Sequence, residues 1–430
     1  MANEWTNCQG MRRRDFLRIG TAGLLGLGLA DLLRLAARAA ADVSGKPKAT
    51  AKSVIMVWLQ GGAPHIDMWD MKPDAPSNIR GEFKEIDTKL PGLRICERLP
   101  KMAAIMDKCS IVRSMYHQIE DHPLGTNYVT TGNRPSPLQY PSLGSLAARL
   151  LPAEPGMPPY VRFQREGAGS GYLGAAYNAF EAEGNNANGQ VRGVSLPQGV
   201  TITDLDRRNK LLESFDEAFK PLDESDLASG LDKHHQQALD ILRSNKTKKA
   251  FDIKEEPPAL IERYGKEGNR ALTARRLIEA GVRFVQFNLG SWDTHQNNFG
   301  QLKNLLPMFD QVVSTLITDL AERGLLESTL IYCVGEFGRS PKINNTNAGR
   351  DHWARAFSAL FAGGGIKKGY VHGSTDRNAM TPTSDPCSPD DVSATLFHAL
   401  GISPRTELPS PTGRPMLLFP EGNVISGLLG

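Results

Sequence analysis

Five short runs in this chain carry almost no polar residue, and they limit the fold more than any other feature. Ser53 to Leu59 reads SVIMVWL, Val282 to Asn288 reads VRFVQFN, and Leu330 to Val334 reads LIYCV; Ser110 to Arg113 and Phe357 to Phe361 are shorter versions. A strand with one wet face alternates apolar and polar residues, whereas one covered on both faces reads as a continuous apolar run. The pattern therefore predicts an α/β fold with a buried sheet. Helical spacing falls between the runs, at Leu99 to Met106, Ser142 to Leu151, Ala271 to Ala280, Leu302 to Leu320 and Pro389 to Leu400. Pro152 to Val200 is rich in Gly, Asn and Pro, and 204–250 is charged and helical. Together they predict a loop-rich insertion around 152–260 in a single domain spanning 42–430.

The runs end in the same way. Ser53 to Leu59 empties into Gln60-Gly61-Gly62-Ala63-Pro64-His65-Ile66-Asp67, and Ser110 to Arg113 leads to Asp121-His122. Val282 to Asn288 leads to Asp293-Thr294-His295, and Leu330 to Val334 leads to Glu336, Arg339, Asp351 and His352. Parallel strands bring their carboxyl ends to one edge, where open α/β sheets hold their chemistry. His65, Asp67, His122, Asp293, His295, Glu336, Asp351 and His352 are thus candidate metal ligands. Two divalent cations about 4 Å apart would suit such a set and would clamp a phosphate or sulfate ester. Arg339 would add a forked donor for the ester oxygens. Each group also has a plainer reading: turn chemistry for Asp67, a helix cap for the 117–128 stretch, and an Asp–His hydrogen bond at 293–295.

The N-terminus reads as an address. Arg13-Arg14-Asp15-Phe16-Leu17-Arg18 matches the twin-arginine export pattern, an apolar stretch runs from Ile19 to Leu29, and small residues follow to Ala41. Residues 1–41 are expected to be a signal peptide read by the twin-arginine translocase, which places the mature chain in the periplasm or outside the cell. Asp31 and Arg34 interrupt the stretch, so no stable membrane span is expected. Net charge is +3 with no basic stripe interleaved with aromatics, which argues against a nucleic-acid partner. Cys96, Cys109, Cys333 and Cys387 show no CxxC spacing, so a cysteine zinc cluster is not expected; a Cys96–Cys109 disulfide is left open.

Longer motifs add a resemblance. QGGAPHIDMWD, HPLGTNYVTTGNRP, ARRLIEAGVRFVQ, SWDTHQNNF, GEFGRSPKIN and GRDHW, with the twin-arginine leader, resemble the exported bacterial proteins of the domain of unknown function 1501 family. That family is similar to the alkaline phosphatase and sulfatase superfamily, which includes cofactor-independent phosphoglycerate mutases. The resemblance implies a three-layer sandwich with a mostly parallel central sheet, one or two divalent ions with zinc foremost, and hydrolysis of a small-molecule or polysaccharide ester. It also implies that Asp293, His295 and His352 hold a first ion, with Glu336, His122 and His65 or Asp67 holding a second. Gln60 stands where the superfamily has a ligand Asp, and Phe337 stands where it has a His.

The nucleophile departs from the superfamily pattern. Nine residues before Thr131 of the Thr-Gly pair stands His122, not Ser, Thr or Cys. The formylglycine pattern fails as well, since Cys387-Ser388-Pro389-Asp390-Asp391 lacks its arginine. His122 is then a nucleophile, a ligand or a general base, and Thr126 is the nearby alternative hydroxyl. The competing expectation is a non-catalytic envelope protein that keeps the fold.

Overall fold

Every residue of the first apolar run is buried, and the run forms β1 (Ser53–Trp58). The computed structural model describes residues 47–182 and 243–430 without 153, 165, 166 and 346, together with 203, 204, 207 and 240. The expected leader and the middle of the expected insertion lie outside the described residues. Around β1 an eight-stranded sheet assembles from β2 (Cys109–Met115), β3 (Tyr160–Phe163), β4 (Phe180–Glu181), β5 (Phe284–Asn288), β6 (Thr329–Val334), β7 (Phe357–Ala362) and β8 (Tyr370–His372). The spatial order is β8-β2-β7-β6-β1-β5-β3-β4.

β1 pairs in parallel with β5 on one side and β6 on the other, so that Val54 lies between Phe284 and Leu330. β3 extends the parallel set from β5, and β4 from β3. Only β7 runs against its neighbours, pairing antiparallel with both β6 and β2. Two reversals restore the direction, so β2 points the same way as β1, β5 and β6. Their four carboxyl ends therefore open on one edge, as the mostly parallel sheet expected from the sequence requires.

Residues of β1 divide between two cores. Ile55 and Val57 join Val285, Phe287, Leu272, Leu277, Leu306 and Val313 in one. Val54, Met56 and Trp58 join Tyr332, Leu146, Leu396 and Phe397 in the other. The helices behind these side chains are α2 (Leu143–Leu150), α3 (Asn269–Glu279), α4 (Asn298–Glu322) and α5 (Pro389–Ala399), which cover both faces and make three layers. Each fully buried Val or Ile of β1 contributes about 1.5–3 kcal/mol through burial. The expected helix from Leu99 shrinks to Pro100–Ala103 followed by a 3-10 turn at Met106–Lys108.

All four cysteines of the described residues are buried and free, so Cys96 and Cys109 are not bridged. Burial pushes the thiols of Cys96, Cys109 and Cys387 up to about 12. Among the described residues no helix is long and apolar enough to cross a membrane.

Candidate active site

The site is built from the turns that leave four parallel strands. After β1 the chain turns at Gly61 with φ +95°, a conformation glycine adopts without penalty. A Cβ at Gly61 would stand 2.4 Å from the Asp293 amide nitrogen, so the loop after β5 packs directly on the loop after β1. The Gly61 amide donates to Glu336 Oε1 at 2.9 Å, which ties in the loop after β6.

The fourth strand, β2, leads to α1 (His122–Thr131). Asp121 caps this helix by accepting from the Leu124 amide at 2.9 Å, so the capping reading of Asp121 holds. Capping fixes the first turn and turns the His122 ring toward Glu336, where Nδ1 lies 2.5 Å from Oε1. His352 sits on a short ribbon, His352–Trp353, paired antiparallel with Gly338–Arg339. Its Nδ1 lies 2.6 Å from the Glu120 carbonyl oxygen. His295 Nδ1 lies 2.9 Å from Asp351 Oδ1.

These three contacts determine the tautomers. A carboxylate or carbonyl oxygen only accepts, so each Nδ1 carries a proton, and in the neutral ring each Nε2 then presents a lone pair. The three lone pairs converge on Asp293. His295 Nε2 is 3.2 Å and His352 Nε2 3.5 Å from Asp293 Oδ1, and His122 Nε2 is 3.5 Å from Oδ2. The Nε2 atoms of His295 and His352 face each other at 2.9 Å, although in these tautomers neither carries a proton for the other. His122 Nε2 is buried with no hydrogen-bond partner. One ligand atom from each of His122, Asp293 and His352 lies within 4.8 Å of the others.

With the rings neutral, these electron pairs and the Asp293 carboxylate point at one another without a proton between them, an arrangement that suits a cation. In a tetrahedral zinc site with ligands at about 2.0–2.1 Å, neighbouring ligand atoms stand roughly 3.3–3.4 Å apart. The four contacts made to Asp293 and between His295 and His352, at 2.9–3.5 Å, bracket that value, and ligand atoms of His122, Asp293 and His352 all lie within 4.8 Å of one another. The donor set of imidazoles and one carboxylate also suits zinc, and an acceptor behind each imidazole is the usual device for fixing a ligand histidine. Phe337 packs its ring 5.0 Å from His122 and 4.6 Å from His352, measured between centroids.

Electrostatics within the chain follow from these contacts. The hydrogen bond to Glu336, opposed by burial, holds the His122 pKa above the ordinary histidine value. Burial pushes His352 down. Burial alone would raise Asp293, but the Arg339 hydrogen bond and charge, with His122 and His295, hold it below the usual carboxylate range. Asp351 is lowered by its bond to His295.

Three expected roles are corrected by the geometry. Arg339 does not face an ester. It is fully buried, and its guanidinium is spent on the carbonyls of Gly61, Gly62 and Arg350 and on Asp293 Oδ1. Asp67 does not join the cluster, because Arg350 grips it at 2.8 and 2.9 Å and Asn298 donates to it at 2.9 Å. His65 lies in the same buried 3-10 turn, His65–Asp67, with Nε2 2.9 Å from the Ala379 carbonyl oxygen. The two-ion division is also redrawn. Glu336 and Asp351 stand behind His122 and His295, while His122 groups with Asp293 and His352, and His295 faces Asp293 and His352 from the other side.

A cavity of about 520 Å³ opens beside the cluster, lined by His122, Asp293 and Glu336 with Gln60, Thr126, Asn127 and Ser291. Thr126 stands one helical turn beyond His122 and so shares its face of α1. Asn127, which sequence reasoning missed, stands one turn beyond Pro123, and both line the cavity. Ser291 was also missed, although it shares the Gly290 turn with Asp293.

Solved structures similar to the chain include Ps i-CgsB, with 11% identity over 83% of this chain and 72% of that one and a TM-score of 0.40. PsFucS1 sulfatase from Pseudoalteromonas sp. matches at 11% identity over 85% and 70%, with a TM-score of 0.38. The phosphonate monoester hydrolase SpPMH from Silicibacter pomeroyi matches at 12% identity over 89% and 76%, also with 0.38. Likeness this distant assigns the chain no activity. No curated protein matches the sequence. The profile of the family described as "Protein of unknown function (DUF1501)" matches residues 51–429, and the chain belongs to that family.

Proposed function

We propose that the protein is an exported metal-dependent hydrolase of phosphate or sulfate esters, acting in the periplasm or outside the cell on a small-molecule or polysaccharide ester. The observation that carries this reading is the convergence of three imidazole lone pairs on Asp293 at the wall of an open cavity. Zinc is the ion best suited to the donors, with His122, Asp293 and His352 as the set one ion reaches together and His295 beside them. A bound divalent ion there supplies Lewis acidity and lowers the pKa of water. The chain's own residues do the rest. His122, Asp293, His295 and His352 hold the site, while Glu336, Asp351 and the Glu120 carbonyl fix the imidazole orientations. Arg339 holds Asp293 in place and ionised. Thr126 offers a hydroxyl beside His122 to orient the ester or the attacking water.

One observation favours the non-catalytic alternative, an envelope binding protein with the same fold. The position of the expected nucleophile is His122, whose Nδ1 is bonded to Glu336 and whose Nε2 is turned to Asp293. Metal content and turnover of aryl phosphate, phosphodiester and sulfate esters, measured on mature protein and on His352→Ala, separate the two. The hydrolase reading expects one equivalent of metal and a turnover that falls at least about a hundredfold in the variant. Metal-free, properly folded protein without turnover would leave the binding protein.

A further inference from the structure

The cavity beside the cluster has an unusual charge inventory for a site that receives an anion. Among the described residues that line it, none is lysine or arginine. Its titratable members are His122, Asp293 and Glu336; its remaining hydrogen-bonding side chains are the uncharged Gln60, Thr126, Asn127 and Ser291. The nearest guanidinium, Arg339, is fully buried and turned onto backbone carbonyls and Asp293.

The fixed charges are then easily counted. Two carboxylates, Asp293 and Glu336, stand against one guanidinium, which leaves one net negative charge. A divalent ion in the cluster reverses this to one positive charge. A monoanion in the cavity completes neutrality, whereas a dianion leaves an uncompensated negative charge beside the buried Glu336, an unfavourable like-charge contact even with solvent screening. Asp351 acts in the same direction from behind His295, although its side chain is 58% exposed and solvent screens it. Neutral amides and hydroxyls suit the same ligand: they hydrogen-bond ester oxygens without adding the positive charge that a second negative charge would need.

We propose that this cavity selects a singly charged tetrahedral ester, a phosphodiester or a sulfate monoester, over a doubly charged phosphate monoester. Gln60, Asn127 and Ser291 are the residues that set this preference, by supplying donors without charge. The selection works mainly against the wrong ligand, through a missing cation and not through an added contact. Gln60 contributes twice, because it is a neutral amide at a strand end where an acid or a base would change the count. This inference rests on the proposed metal-dependent hydrolase and narrows its substrate class.

The test is calorimetric binding of three non-hydrolysed probes to zinc-loaded mature protein at pH 8.5. Phenylphosphonate is doubly charged there, while its monomethyl ester and benzenesulfonate each carry a single charge. The expected result is that at least one monoanion binds at least about tenfold more tightly than phenylphosphonate, a difference of roughly 1.4 kcal/mol. If the monomethyl ester is the tighter of the two monoanions, the phosphodiester source is favoured; if benzenesulfonate is, the sulfate monoester is. In Asn127→Lys the added cation should reverse the order, so that the dianion binds more tightly. Ser291→Lys, at an exposed position, makes the same test without disturbing α1. Tighter binding of the dianion by the unmodified protein overturns the proposal and leaves the hydrolase standing. An order unchanged in a folded lysine variant overturns the assignment to these residues. Binding of none of the three probes overturns the proposal and the hydrolase reading together.

Discussion

Asp293 is the residue on which the site turns, and its surroundings show how a single carboxylate is kept charged among competing groups. Arg339 cancels its charge from inside the protein, and three imidazoles face it from the cavity side. A lysine could not replace Arg339, since one ammonium cannot serve four acceptors spread over three loops. His117 illustrates the opposite case. It is 5% exposed, its Nε2 donates to the Glu336 carbonyl oxygen at 2.7 Å, and its Nδ1 accepts from the Ile119 amide at 3.1 Å. Burial lowers its pKa to about 4. The unfolded chain, with a histidine pKa near 6.5, then binds more protons than the native one between the two values, so stability rises with pH across that window. On acidification from about 6.5 to about 4 this one ring should cost on the order of 3 kcal/mol. Denaturant unfolding at several pH values checks this, with His117→Gln expected to flatten that part of the profile. An unchanged slope in the variant would rule the ring out as its source.

At the scale of the element, the strand-to-loop turns carry the design. Gly61 has both a positive φ and a neighbour where its side chain would be, the amide of Asp293. Gly61→Ala should therefore cost at least about 2 kcal/mol in stability, combining backbone strain with a displaced loop. It should also weaken metal binding, because the displaced loop carries Asp293. Thermal unfolding and metal titration read the two effects separately; a stable variant with full metal affinity would show that the loop can yield. Much of this level was legible in the sequence. Continuous apolar runs announce β1, β5 and β6, and the loops at their carboxyl ends supply Asp293, His295, Glu336 and His352. The direction a residue takes after a glycine turn is not encoded locally. His65 and Asp67 come after the turn that ends β1 just as Asp293 and His295 come after the turn that ends β5, yet they tuck into a 3-10 turn. The partner that holds Asp67 there is Arg350, 283 residues away. Arg339 misled for the same reason, since a charged residue past a strand end looks alike whether it faces solvent or three buried carbonyls. The reversal of β7 was hidden too, because an apolar run reads the same in either direction.

Among the described residues two large apolar cores lie on the two faces of one sheet, with the candidate site at the sheet's carboxyl edge, and no disulfide crosses either core. Cys96, Cys109 and Cys333 lie in one and Cys387 in the other, all reduced. Thiols so placed react only when the core that holds them opens. Under native conditions their labelling by a thiol reagent should therefore track global unfolding, with a rate that rises in step with denaturant; fast labelling of any one in native protein would mark a local opening. The same feature makes the finished fold indifferent to redox surroundings. A fold that forms with Cys96, Cys109, Cys333 and Cys387 free needs no oxidant to join them. Such a fold can be completed in reducing surroundings and meet oxidising ones afterwards without rearrangement of these four residues.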